Sequence, residues 1–483
     1  MFQKVYKAFF QNPQLIAMSM VTFRIPDGSA LVYIEKADPQ IYFKIYDLLT
    51  YRRDFGRWEK SESLYDPYER SFPVGLLPRV KKYLNSKGYR VRIKDERRVR
   101  GFKINSSWNE GYAMRRYQER AVKKALREKV GVLSLPVGSG KTVVGLRMIH
   151  ELDLSALIVV HTKELLYQWA DKVKEVLGIE AGIVGDNKWD ERGVTIAMIQ
   201  TLLSRGPEKL QNEYAVLMFD ECHRTSAAEK FYQLGLKLPQ VYRFGLSATP
   251  WRRVRGEEIK IEAVVGPTLF EVRADDLIKE RFLAKPRFEI LTYESKMPSF
   301  SERYKELYEE VIMNNMDRNR VIVRKAVELA KAGHRVLIDV KRIEHGKTLK
   351  EMLEAEGVRA EFLSSQSPDR WEVLEEFKDG KIPVLISTLL KEGVDIPEIS
   401  AIILAGGGKS DIMTIQTIGR ALRPKKGMKA VIVDVQDDDP LLFTHFIERQ
   451  KALKQYYGKY YDREMDSKLE KDVSKKRRSS KRP

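Results

Sequence analysis

From residue 111 onward the chain alternates short, nearly continuous apolar runs with stretches of helical period, and few folds accommodate that pattern. Val130 to Leu135, Leu157 to Val160, Val194 to Met198, Ala215 to Phe219 and Phe244 to Leu246 form one series. Val336 to Val340, Ala360 to Leu363, Val384 to Ser387, Ala401 to Leu404 and Ala430 to Val433 form a second. A strand that is apolar along its whole length is covered on both faces, the situation of a parallel sheet flanked by helices. With 483 residues the chain exceeds what one hydrophobic core holds. The expected fold class is therefore α/β, with two doubly wound parallel-sheet domains in tandem over residues 109–285 and 286–436, joined near Lys285-Pro286.

The first 110 residues read differently. They hold 19 of the 47 aromatic residues and carry 21 basic against 12 acidic side chains. Arg52, Arg53, Arg57 and Trp58 share one run, and Tyr89, Val91 and Ile93 alternate with Arg90, Arg92 and Lys94, which predicts a strand with one apolar and one basic face. A small α+β domain over residues 1–108 is expected, its arginines and aromatics available for phosphate and base contacts. Residues 437–483 are expected to form a helical extension and a basic tail, the last Lys/Arg/Ser stretch being too polar to order. The whole chain has 87 basic and 68 acidic residues, and the surplus concentrates at its two ends, where a polyanion is best held. Cys222 is the one cysteine, so an internal disulfide and a zinc cluster are excluded and any metal must use oxygen ligands. No apolar run reaches the ~20 residues of a membrane span and the start lacks a secretory signal, so a cytoplasmic protein is expected.

Chemistry enters with Pro136-Val137-Gly138-Ser139-Gly140-Lys141-Thr142, which follows an apolar run and opens a helical stretch. Two glycines let backbone N–H groups converge on phosphates, the Lys141 ammonium meets β/γ oxygens, and the Thr142 hydroxyl can ligate Mg2+ at the helix start. Asp220-Glu221-Cys222-His223 stands at the carboxyl end of another run, the edge where open α/β sheets bind ligands. Asp220 is a second magnesium ligand there, and Glu221 polarises the attacking water. Arg420 and Arg423, three apart on a predicted helix, share a face from which guanidinium groups stabilise charge on a transferring γ-phosphoryl. ATP and Mg2+ are the implied cofactors.

In this order across two α/β domains, these elements resemble the superfamily 2 helicases over roughly residues 111–436. The resemblance implies two RecA-like domains and an ATP hydrolase coupled to nucleic-acid unwinding. It implies adenine contacts by Tyr117 and Gln118, and strand contacts by Thr162, Gln200 and Thr201 in the first domain and by Lys341, Arg342 and Thr388 in the second. His223, Ser247 and Thr249 would couple hydrolysis to strand movement, Gly393 and Asp395 would face the nucleotide, and Gln416 would join Arg420 and Arg423 in catalysis. The runs Phe72 to Leu77 and Ala405 to Ser410 are similar to those of UvsW-type phage recombination helicases, with XPB-type translocases the second likeness. That likeness implies a monomer acting on branched or partly single-stranded DNA, such as forks, four-way junctions and R-loops with their RNA–DNA hybrid. Duplex translocation without net unwinding, an RNA-directed helicase and a non-enzymatic clamp are the alternatives.

Overall fold

The computed structural model describes residues 20–54, 59–210, 213–222, 228–248, 258–294, 304–364, 366–388, 399–408, 418–419 and 430–461. It divides into two compact units, the first reaching Ser134 and resuming over Thr142–Glu271, the second made of Leu135–Lys141 and the chain from Val272. The division falls ahead of the joint expected at 285–286. The segment after Val272 holds helix α9 (Ala274–Lys279), which packs on the long helix α14 (Pro440–Tyr457) and so belongs with the second unit.

In the first unit, strands β1 (Met20–Ile25), β2 (Leu31–Lys36), β5 (Ser71–Pro73) and β6 (Arg90–Asp95) form a small sheet in the order β5-β2-β1-β6. β3 (Thr50–Asp54) and β4 (Glu59–Ser63) pair as a separate hairpin. Helices α1 (Pro39–Leu48) and α2 (Leu77–Ser86) bury Ile41, Ile45, Val80 and Leu84 in one core with Val21, Phe23 and Val32. The apolar face expected for residues 89–94 is only partly covered: Tyr89 is buried, Val91 half-buried and Ile93 exposed. β6 is an edge strand: Val91 still packs against this core, whereas Ile93 is exposed.

Within the first unit the small sheet packs against elements of the first large sheet. Arg79 on α2 donates from Nε to Glu262 at 3.0 Å, and Lys260 lies over the rings of Tyr51 on β3 and Tyr232 while pairing with Glu229. Both Lys260 and Glu262 belong to α8 (Glu258–Val265), which is buried along its length and reaches into the core of the small sheet through Ile259 and Ala263.

The large sheet of this unit contains β7 (Val130–Ser134), β8 (Ala156–Val160), β9 (Gly182–Gly185), β10 (Lys188–Asp190), β11 (Val194–Met198), β12 (Val216–Asp220), β13 (Tyr242–Ser247) and β14 (Thr268–Glu271). Their order is β10-β9-β11-β8-β12-β13-β7-β14, parallel except for the β9–β10 hairpin. β8 and β12 are buried at every residue, as continuous apolar runs predict, and each buried Leu, Ile or Val contributes ~1.5–3 kcal/mol. The intervening helices are α3 (Arg116–Glu128), α4 (Lys141–Leu152), α5 (Lys163–Leu177), α6 (Ile199–Arg205) and α7 (Ala228–Lys237). Arg243 on β13 is 1% exposed and donates to the carbonyls of Gly235, Leu238 and Val264 at the ends of α7 and α8, with no carboxylate among its described partners. Burial pushes its guanidinium down to about 9.

In the second unit β15 (Pro286–Leu291), β16 (Val336–Asp339), β17 (Ala360–Leu363), β18 (Val384–Ser387), β19 (Ala401–Leu404) and β20 (Ala430–Val435) form a fully parallel sheet ordered β15-β20-β19-β16-β18-β17. Helices α10 (Tyr304–Tyr308), α11 (Met316–Lys331), α12 (Ile343–Ala355) and α13 (Arg370–Lys378) accompany it. The long α14 is tied down by charge: Arg449 pairs with Asp434 of β20 through Nε and Nη2 at 3.1 and 2.9 Å and donates to Gly408 O at 2.7 Å. Gln450 adds a bond to the same carboxylate, and Tyr461 bonds to Gln450. A second buried pair, Arg318 on α11 with Asp437, is joined by the Tyr293 hydroxyl. His345 bonds to Asn319 beside it, and burial together with Arg318 pushes its imidazole down to about 3.

Candidate active site

The phosphate loop is built by the junction of β7 and α4. After Ser134 the chain turns through Pro136, and Gly138 and Gly140 take φ values of 79° and 80°, open to glycine at little steric cost. Ser139 N–H closes the turn on Pro136 O at 3.2 Å, and α4 begins at Lys141 with Thr142 next. A positive-φ glycine turn feeding a helix start is the geometry that lines backbone N–H groups toward an anion. Upstream, α3 starts at Arg116 with Arg115 as N-cap, and the Gln118 side-chain oxygen accepts the Arg115 N–H at 2.8 Å. The capping bond orients the Gln118 carboxamide, and Arg115 Nη1 reaches the Tyr117 hydroxyl at 3.2 Å.

Asp220 ends β12 with its side chain buried. Its Oδ1 accepts Glu221 N–H at 2.9 Å and its Oδ2 accepts the indole N–H of Trp169 at 2.8 Å. Both of these donors are neutral, and a buried carboxylate is the kind of oxygen ligand that suits a hard divalent cation. The carboxylate by its chemistry fits Mg2+, and the glycine turn by its own geometry fits a nucleotide phosphate. Glu221 holds φ 48°, a left-handed setting rare for a non-glycine residue. Cys222 is buried in the core and Ser247 is buried at the end of β13.

Thr162 is the N-cap of α5, its hydroxyl accepting Leu165 N–H at 3.3 Å. Gln200 donates to His161 O at 3.1 Å, which brings together the two segments of the first domain expected to contact a strand; Thr201 follows on α6. Lys163 pairs with Asp186 at 2.9 Å, holding that carboxyl below its usual range. The strand order sorts these residues: Asp220, Ser247 and the phosphate loop follow β12, β13 and β7, whereas Thr162 and Gln200 follow the adjacent β8 and β11. All lie at the carboxyl edge of one parallel sheet.

In the second unit Lys341 binds Gly407 O with its ammonium, and Arg342, the N-cap of α12, stacks its guanidinium 6.0 Å from the ring of Tyr308. Thr388 follows β18, next to β16 in the sheet, so it stands one strand from Lys341. Within this same unit Gly419 lies against Val137 of the phosphate loop, and a Cβ at 419 would collide with it. Arg52, Arg90 and Arg92 are exposed on the small sheet and its hairpin. The side chain of Arg53, and Arg57, Trp58, His223, Thr249, Gly393, Asp395, Gln416, Arg420 and Arg423, lie outside the described residues, as does the basic tail.

Sequence reasoning missed Trp169 and the hold of Arg449 on Gly408. Trp169 shares an i, i+3, i+7 stripe with Leu166, Val173 and Val176, which reads as core; its signal was a donor-bearing ring on a helix beside the aspartate strand. Among the described residues no helix is long and apolar enough to cross a membrane, and no group of three or more His, Cys, Asp or Glu could hold a metal by itself.

Two families match the chain: "Type III restriction enzyme, res subunit" over residues 111–252 and "Helicase conserved C-terminal domain" over residues 318–425. The DNA 3'-5' translocase XPB2 of Sulfurisphaera tokodaii is 29% identical over 361 residues, covering 67% of this chain and 81% of its own. The ATP-dependent DNA helicase uvsW of Enterobacteria phage T4 is 24% identical over 414 residues, covering 78% and 81%. Among solved structures, the ATP-dependent Type ISP restriction-modification enzyme LlaBIII bound to DNA aligns with a TM-score of 0.57 at 16% identity, over 72% of this chain and 30% of that one, a likeness of fold. With tandem parallel-sheet domains, a phosphate loop, the aspartate–glutamate box and both helicase families in register, this chain belongs to the superfamily 2 helicases, enzymes that work on nucleic acid in an ATP-dependent manner.

Proposed function

We propose that this helicase is an ATP-driven DNA motor acting as a monomer on branched DNA: forks, four-way junctions and R-loops. The observation that carries the reading is the sorting of candidate residues along one sheet edge, nucleotide motifs after β7, β12 and β13 and strand-contacting motifs after β8 and β11. ATP phosphates are held by the turn Pro136, Val137, Gly138, Ser139 and Gly140 with Lys141, and adenine by Tyr117 and Gln118. Thr142 and Asp220 would hold Mg2+, which when bound supplies neutralisation of phosphate charge. Glu221 accepts a proton from the attacking water while Gln416, Arg420 and Arg423 stabilise charge on the transferring group. The approach of Gly419, one residue before Arg420, to Val137 supports that role for the arginines. Contacts to strand phosphates ignore sequence, so substrate choice falls to shape and to arginines of the first 110 residues, Arg52, Arg53, Arg57, Arg90 and Arg92, with Trp58. The relative named uvsW, which covers most of this chain, supports the DNA-helicase reading.

Steady-state ATP hydrolysis tests it. Forks and junctions are expected to stimulate the rate at least tenfold, and Glu221→Gln to lower it by about 10²–10⁴-fold. A rate indifferent to single strands, forks and junctions alike would overturn the motor. A second reading, translocation along duplex without net unwinding, is favoured by the relative named DNA 3'-5' translocase. Triplex displacement without strand displacement would select it.

A further inference from the structure

The indole of Trp169 is 2% exposed, and its N–H meets Asp220 Oδ2 at 2.8 Å, yet no family motif named above includes it. A buried carboxylate needs donors, and the kind of donor matters to a cation site. Lys or Arg in this place would repel a divalent ion. Trp donates one neutral N–H and accepts nothing, so it orients the carboxylate and leaves its negative charge whole. The ring cannot drift, because it is wedged against the phosphate-loop helix: a Cβ on Gly145 of α4 would sit 3.1 Å from Trp169 Cη2, 2.9 Å from Met218 Sδ and 3.1 Å from Leu246 Cδ1. One side chain thus touches α4 and bonds to β12 while being carried by α5.

α5 begins at the capped Thr162, where Gln200 is tied to His161 O, and Trp169 sits seven residues along, about 10 Å down the helix at ~1.5 Å per residue. We propose that Trp169 is a positioning residue: its indole N–H sets the plane of the Asp220 carboxylate for a divalent cation and links that carboxylate rigidly to the helix whose start grips a DNA strand. The proposal rests on the reading of Asp220 as a cation ligand given above. DNA seated at Thr162 and Gln200 then shifts α5, and the shift reaches the cation site through one hydrogen bond.

The test measures Mn2+ binding to the ADP-saturated full-length protein by electron paramagnetic resonance, with and without a single-stranded oligodeoxynucleotide. Two substitutions remove the N–H: Trp169→Phe, and site-specific replacement of Trp169 by benzothienylalanine, which keeps the bicyclic shape should the Phe variant fold poorly. Both are expected to weaken Mn2+ binding by about 10-fold, the ordinary loss for an outer-shell partner. DNA is expected to change Mn2+ affinity at least threefold in the parent and not in the isostere. Unaltered Mn2+ affinity in the isostere, while Asp220→Asn binds Mn2+ poorly, overturns the role of Trp169 alone. Undiminished Mn2+ binding by Asp220→Asn overturns instead the assignment of Asp220. Equal responses to DNA in parent and isostere, including none in either, overturn the link through α5.

Discussion

The two units bury guanidinium groups in opposite ways. In the first, Arg243 is surrounded by carbonyls from the ends of α7 and α8, whose partial negative charge replaces a counter-ion. In the second, Arg318 and Arg449 each face a buried carboxylate, Asp437 and Asp434. The contrast teaches what each buried charge fastens. Arg243 gathers two helix ends beneath the strand that carries Ser247, and α8 in turn receives the small sheet. Arg449 fastens α14 to β20 and to the Gly408 carbonyl, the last described residue before the stretch that leads to Gln416. Fastening by backbone carbonyls needs the helix ends in place; fastening by a carboxylate needs one partner residue.

The contrast can be broken most forcefully in the second unit. Arg449→Ala should cost about 3–5 kcal/mol in urea unfolding because Asp434 stays buried without its cation, and adding Asp434→Leu should recover most of that loss. If the double variant is no better than the single one, the pair is not what fastens α14. Next in size, Arg243→Met should cost about 3 kcal/mol by stranding three carbonyls, and no single acidic-residue removal should rescue it. A further effect comes with pH. His345, buried beside Arg318 and bonded to Asn319, is held near 3 against an ordinary 6.5, so the unfolded chain binds the extra proton in that interval. Stability is therefore full above about 6.5 and declines as pH falls toward 3, and His345→Gln should flatten that decline in denaturation curves taken across the window. Smallest of all, Lys163→Ala removes an exposed pair with Asp186 and should change stability by under ~1 kcal/mol, a difference that 0.5 M salt should erase.

Much of this architecture was legible beforehand because continuous apolar runs have one physical explanation. Val194–Met198, Ala360–Leu363, Val384–Ser387 and Ala401–Leu404 form strands with the ends expected of them. Of the strands in the two large sheets, the four not foreseen, β9, β10, β14 and β15, are short, glycine-bounded or begin at or just after a proline, and they gain their identity from neighbours already in the sheet. The candidate site was legible where a residue's place follows from the end of a strand, as for Asp220 and Thr162. It was illegible where a role needs two distant segments to meet. Trp169 lies 51 residues from Asp220, and Arg449 lies 41 from Gly408, separations across which no periodicity speaks. The attachment of the small sheet to α8 was hidden for the same reason, since Arg79 and Glu262 are 183 residues apart.

The backbone at Glu221 has a consequence for how this protein can be silenced. A φ of 48° is a torsion that costs an L-residue roughly 1–2 kcal/mol and glycine almost nothing. Erasing the side chain altogether, Glu221→Gly, would thus relieve local tension while the flexible unfolded chain takes some of it back, and the inert protein should melt at nearly the parent's temperature. Valine there would instead unsettle the turn after β12, and lost turnover could then be mistaken for lost chemistry. An acid thus stands where the chain itself would prefer none, which accords with the role proposed for Glu221.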